Sequence, residues 1–190
     1  MEELKERILR EGEVIGNNII KVDRFLNHQI DPVFMQAIGR QFAAQFADQK
    51  ITKVITIESS GIAPAVMTGL ALEVPVIFIR KKKPTTSKGE VFVAEVYSYT
   101  KKETNAIYIE KELLTNQDRV LIIDDFLANG EASLGLAKLV EMSGALVAGV
   151  GIVVEKSFQN GRHRLDHAGY RVHALARIAS LEGGEVRFLD

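Results

Sequence analysis

Val120, Leu121, Ile122 and Ile123 run directly into two carboxylates, Asp124 and Asp125, and then into a loop with a glycine at Gly130. An uninterrupted apolar run suits a strand buried on both faces, and such strands belong to parallel sheets covered by helices. Charge placed directly after a strand of this kind lies at its carboxyl end. That is the edge where open α/β sheets bind ligands.

The rest of the chain fits the same architecture. Short apolar runs recur at 54–57, 76–79 and 147–154. Between them lie segments of helical period: Ile38, Phe42 and Phe46 form one stripe, and Leu136, Leu139 and Val140 another. Asp31 followed by Pro32 reads as a helix N-cap and first-turn pair. Gly144 suits the end of the later helix. The expected fold is α/β, a parallel sheet flanked by helices. The 190 residues suit one domain, 1–190, with a full core.

The apolar stretch 62–79 approaches the length of a membrane span, but Glu73 and Pro75 interrupt it. It reads as a buried helix, a turn at Glu73 and a short buried strand. The first ten residues are charged and amphipathic, unlike a signal peptide. Cysteine is absent, which removes disulfides and thiolate metal sites and fits a cytoplasmic protein. A net charge of −1 supplies no basic field for nucleic acid or an anionic membrane.

Two segments fall outside the strand–helix alternation. Residues 1–30 precede the first α/β unit and are expected to form a small hood. Residues 80–105 are polar and basic. A segment this long between core strands is either a functional flap or disordered. The alternating stretch 91–99 suggests antiparallel strands within that flexible flap.

After Asp125, the loop of Ala128, Asn129, Gly130, Glu131 and Ala132 leads into a helix. Orphan N–H groups and the helix dipole make such a place an anion site. Acids beside an anion nest suit a ligand with both a diol and a phosphate, such as a phosphorylated ribose. Two acids after a strand also serve as a helix cap or a metal site, and the bare pair does not separate these readings. The loop is neither a GxxxxGK[ST] P-loop nor a GxGxxG dinucleotide turn.

This run resembles the signature that binds phosphoribosyl pyrophosphate (PRPP) in type I phosphoribosyltransferases. The resemblance extends almost end to end to the bacterial branch that uses xanthine. It is carried by KVDRFLNHQIDP at 21–32, ITIESSGIAPAVMTGL at 55–70, IIDDFLANG at 122–130 and GIVVEKSFQNG at 151–161. The wider superfamily has Thr where this chain has Asn129 and Ala132, which shifts phosphate binding toward backbone amides. The xanthine branch shares the Leu-Ala-Asn-Gly loop.

The resemblance implies transfer of ribose 5-phosphate from PRPP to xanthine, giving xanthosine 5′-monophosphate and pyrophosphate, in purine salvage. It assigns Asp124 and Asp125 to the ribose and its developing cation. Ser59, Ser60 and Gly61 would form the pyrophosphate loop, with Arg80 and a neighbouring lysine neutralising the leaving group. Ile20, through its backbone, Asn27 and Lys156 would read xanthine. Mg²⁺ would accompany PRPP, and no side chain is assigned as its direct ligand. The resemblance also implies a homodimer. Lys82 and Lys83 read more simply as a solvated charge run, and Lys156 as a surface lysine paired with Glu155. ESSG by itself is an ordinary strand-to-helix turn, and Asn27 by itself a turn residue. Tyr97-Ser98-Tyr99 would lie in the closing flap. Phe126 and Phe158 are candidates to stack on the base, and core packing suits either equally well. His163 and His167, at i,i+4 spacing without a third ligand, read as a solvated helix face.

Two rival readings remain. A PRPP-sensing regulator on this fold would need an added DNA-binding domain, and the core begins soon after residue 31. A guanine or hypoxanthine transferase, or an adenine one, would share the PRPP motif and differ only in the base pocket.

Overall fold

The structure is a computed structural model and describes residues 1–81, 89–98 and 103–189. Lys82, Lys83 and Tyr99 lie outside the described residues.

The chain opens with α1 (Glu2–Glu11) and a small antiparallel pair, β1 (Glu13–Ile15) and β2 (Ile19–Lys21). A single π-helical turn, Asp23–Asn27, follows. Then come α2 (Pro32–Gln45), β3 (Lys53–Ile57), α3 (Ile62–Leu72) and β4 (Val76–Ile79). An antiparallel hairpin, β5 (Val91–Ser98) and β6 (Glu103–Glu110), precedes β7 (Arg119–Leu127). The chain continues through α4 (Glu131–Met142), β8 (Leu146–Lys156), α5 (Gly161–His167), β9 (Val172–Ser180) and β10 (Arg187–Phe188).

The main sheet has six strands in the order β10-β9-β8-β7-β3-β4. Strands β9 to β4 are parallel, and β10 closes one edge antiparallel. From β3 the chain winds outward to β4, whereas from β7 it winds the other way to β8 and β9. Strand order therefore reverses between β3 and β7, and a crevice opens there at the carboxyl edge.

Local signals account for the elements. The Asp31 side chain accepts from the Val33 and Phe34 N–H groups, and Pro32 occupies the first turn. Ile38, Phe42 and Phe46 are fully buried. Gly144, just after α4, takes φ 79°, which a residue with a Cβ rarely adopts. Val120 to Ile123 have no exposed surface, as an apolar run between two layers requires. One core lies between the sheet, α1, α2 and the residue 22–26 turn; the other lies under α4 and the hairpin.

One expectation changes. Helix α3 and strand β4 form in place, with Glu73 in the left-handed region between them, but they are not uniformly buried. Leu70 is 62% and Phe78 42% exposed, because β4 is the edge strand and has a neighbour on one side only. Within the segment 1–30, Leu4 and Ile8 of α1 are buried in the main core. The hairpin of the 80–105 region continues to Glu110, and Ala94 and Ile107 are buried against α4.

Phe42→Ala should cost about 3–5 kcal/mol, since its ring fills the space beside Ile123 and Gly151. Leu9→Ala, on the exposed face of α1, should change stability by less than about 0.5 kcal/mol. Urea unfolding midpoints measure both. Equal shifts would mean that the packing described here is wrong.

Candidate active site

The crevice between β3 and β7 is a cavity of about 880 Å³. Its floor is Ile57, Asp124, Phe126 and Leu127, and one wall is the loop Ala128, Asn129, Gly130, Glu131, Ala132 and Ser133. Glu58, Arg80 and Lys81 line the opposite side, and hairpin residues Val96, Tyr97, Glu103, Asn105 and Ile107 close over it. A negative floor thus faces a helix N-terminus on one side and two cations on the other.

Strand β7 continues through both carboxylates to Leu127, four residues farther than the apolar run. The Asp124 and Asp125 carboxyl groups there stay within hydrogen-bonding reach of each other. Gly61 packs against the Asp124 side. A Cβ there would stand 2.3 Å from Thr56 Oγ1 and 3.1 Å from Asp124 Oδ1, so only glycine lets the turn after β3 approach. The Glu58–Ser59 peptide in that turn is cis. Glu58, rather than Ser59 or Ser60, reaches the cavity, and its Oε1 accepts the Lys81 N–H at 2.8 Å.

Burial pushes the Asp124 carboxyl well above the usual carboxylate range, and the Asp125 charge pushes it further. Burial also raises Asp125, against hydrogen bonds from the Asp124 and Asn27 side chains. Burial and mutual repulsion therefore disfavour two negative charges on the pair in the ligand-free chain. A developing positive charge beside it would draw out the second negative charge.

Asp125 is where the hood and the sheet meet. Asn27 hydrogen-bonds to it, and Lys156 is close enough for mutual attraction. Lys156 Nζ lies 5.5 Å from the centroid of the Phe126 ring and donates to the Asn18 carbonyl at 2.8 Å. Burial pulls the Lys156 ammonium below its ordinary value, and Asp125 opposes that shift. The Ile20 side chain is buried in the core, which leaves only its backbone for a ligand. Ile20, Asn27 and Lys156 are not among the residues lining the large cavity. Asn27 and Lys156 meet instead at Asp125.

Several readings of single residues are now decided. Lys156 is not paired with Glu155: their side chains alternate across β8, and the buried Glu155 carboxylate accepts from Arg162, Arg177 and Ser157. Phe126 lines the cavity and Phe158 does not. The guanidinium of Arg80 lies 5.3 Å from the Phe78 ring centroid while the residue lines the cavity. His163 and His167 stack with centroids 6.2 Å apart on an exposed face of α5. The contribution of Asn18 was not foreseen. A backbone carbonyl carries no sequence signal.

Residues 27–171 match the family described as the phosphoribosyl transferase domain. A xanthine phosphoribosyltransferase of Listeria monocytogenes is 59% identical over 190 residues, covering 100% of this chain and 99% of its own. One from Ectopseudomonas mendocina is 57% identical and covers 100% of both. Among solved structures, adenine phosphoribosyltransferase from Thermoanaerobacter pseudethanolicus superposes with a TM-score of 0.68 at 26% identity, over 77% of this chain and 82% of that one. The enzyme from Rhodothermus marinus reaches 0.75 at 22% identity, over 94% of this chain and 100% of that one, and shares the fold. The chain belongs to the phosphoribosyltransferase family.

Asp124 carries a folded-state pKa above its unfolded value, so ionising it opposes folding. That penalty is absent below about pH 4 and grows as the pH rises toward the folded pKa. Ligand-free Asp124→Asn should therefore melt higher than the parent at pH 8, and the difference should vanish toward pH 4. A difference independent of pH would refute the raised pKa.

Proposed function

We propose that this chain is a xanthine phosphoribosyltransferase, transferring ribose 5-phosphate from PRPP to xanthine to give xanthosine 5′-monophosphate and pyrophosphate. The observation that carries the transfer chemistry is the single cavity that brings Asp124 together with the residue 128–133 loop and the Arg80–Lys81 cations. The choice of base is supported by the printed names of full-length relatives at 57–59% identity.

In this reading the bond from ribose C1 to a pyrophosphate oxygen breaks, and a bond from C1 to N9 of xanthine forms. The N9 proton departs. Positive charge grows on the ribose and negative charge on the leaving group, so placement of charge dominates catalysis. Asp124 and Asp125 hold the ribose hydroxyls and face the growing cation. The amides of Ala128, Asn129, Gly130, Glu131 and Ala132 take the 5′-phosphate. The turn of Ser59, Ser60 and Gly61, with Arg80 and Lys81, takes the pyrophosphate. Lys156 donates to the C6 oxygen, Asn27 reads C2, and the Ile20 backbone covers the base. The segment 1–30 acts as a hood. The hairpin acts as a flap that excludes water from the cation.

Among the described residues no group of three metal-binding side chains occurs. Adjacent carboxylates beside a pyrophosphate site nevertheless fit Mg²⁺, which keeps waters and phosphate oxygens and uses one or two carboxylates. Bound with PRPP, it would neutralise charge on the departing pyrophosphate. Exposed apolar side chains such as Val66 and Leu70 of α3 favour a homodimer. Among the described residues no helix is long and apolar enough to cross a membrane. Absence of cysteine and the purine-salvage role support a cytoplasmic location.

A panel of bases with PRPP and Mg²⁺ tests the reading. Xanthine should be used best, guanine and hypoxanthine more weakly, and adenine almost not at all, because an ammonium accepts no hydrogen bond from a 6-amino group. Preference for another base would overturn the assignment. Asp124→Asn and Asp125→Asn should each lower turnover about 10²–10³-fold. Lys156→Ala should damage all three 6-oxopurines together. Asn27→Ala should narrow the gap between xanthine and hypoxanthine by roughly 1–3 kcal/mol. Equal losses for every base would instead place Asn27's role at Asp125.

A further inference from the structure

Helix α5 lies behind the residue 128–132 loop and is tied to its backbone. The Gly161 N–H donates to the Ala128 carbonyl at 2.9 Å, and Arg164 Nη1 donates to the Asn129 carbonyl at 2.6 Å. In a planar trans peptide the C=O and the next N–H point to opposite sides. Two successive carbonyls turned toward α5 therefore turn the Asn129 and Gly130 N–H groups away from it, toward the cavity that these residues line.

The approach of α5 depends on its first residue. A Cβ on Gly161 would stand 2.5 Å from the Ala128 carbonyl oxygen and 3.0 Å from the Gly130 nitrogen. Gly130, at φ 80°, meets Gly161 in return, since a Cβ there would lie 3.2 Å from the Gly161 Cα. The loop is thus seated glycine against glycine, with Arg164 one turn farther along.

Arg164 also answers a problem of charge. Glu131 occupies the first turn of α4 and lines the cavity, so its carboxylate competes with a phosphate for the same amides and repels it. The Arg164 guanidinium pairs with the Glu131 carboxylate. It holds that carboxylate on the α5 side and cancels its charge.

We propose that Arg164 is a positioning residue for the phosphate loop, fixing the direction of the loop amides and neutralising Glu131 so that the loop accepts a phosphate monoester. This rests on the loop being the 5′-phosphate site, as argued above. Arg164 touches no substrate in this scheme and acts through the Asn129 carbonyl and Glu131.

Calorimetry with PRPP, ribose 5-phosphate and pyrophosphate, without any base, tests it. Arg164→Gln should weaken PRPP and ribose 5-phosphate by about tenfold or more and leave pyrophosphate unchanged, since pyrophosphate belongs to the opposite wall. Adding Glu131→Gln should recover part of the loss. Arg164→Lys, which keeps the charge but not the fork, should fall between wild type and Arg164→Gln at an unchanged melting temperature. In turnover, the KM for PRPP should rise while the KM for xanthine stays. Ribose 5-phosphate binding equal to wild type in Arg164→Gln would overturn the proposal. So would equal losses for all three ligands without recovery by Glu131→Gln, the mark of a merely structural tie. Wild-type protein that bound neither PRPP nor ribose 5-phosphate would instead sink the reading of the loop itself, before any variant is made.

Discussion

A strand buried on both faces that ends in charge is the constraint on which the rest depends. Up to Ile123, β7 has apolar neighbours above and below, and pairing with β3 and β8 satisfies its backbone. It then continues in register with β8 and presents Asp124 with only 5% of its surface exposed. A carboxylate kept that dry retains a proton or needs a cation, and either condition makes the site responsive to the charge of a ligand. The reversal of strand order beside β7 opens the space the ligand needs.

The parts of the site are held by the parts of the core. Helix α4 begins at the residue 128–133 loop and also supplies the surface on which the hairpin lies, with Gly135 admitting Val96 closely. The hairpin and that loop are therefore anchored to one element. On the other side, α1 is embedded through Leu4 and Ile8, and the turn that carries Asn27 is anchored through Phe25 and Leu26. A hood fixed in this way can hold Asn27 against Asp125 and the Asn18 carbonyl against Lys156.

Buried charge is balanced locally throughout. Glu155 meets Arg162 and Arg177, Asp118 meets Lys53, and Glu131 meets Arg164. The Arg162 and Arg177 contacts hold the Glu155 carboxylate below its usual range although burial alone would raise it. Asp124 and Asp125 are different, because both are raised and they face each other. That contrast marks the acid pair as the place where the fold leaves charge unresolved, a common property of functional sites.

Much of this was legible in the chain because it is local. Apolar runs dictate buried strands, Asp31-Pro32 dictates a helix start, and the order of strand, acid pair and glycine loop dictates a turn into a helix at a sheet edge. Four motifs in order pointed to the family and to its candidate residues. Other features depended on which distant elements meet. That β4 is an edge strand, so that Phe78 and Leu70 remain exposed, follows from strand order, which hydropathy does not encode. That Glu155 pairs with Arg162 and Arg177 rather than with Lys156 follows from the alternation of β8 and the position of α5. The chain alone determined that a glycine loop and a helix start follow Asp125, since side-chain period and turn residues act over a few positions. Only the tertiary structure decided which way its amides face, because Gly161 and Arg164, more than thirty residues away, turn the carbonyls behind them.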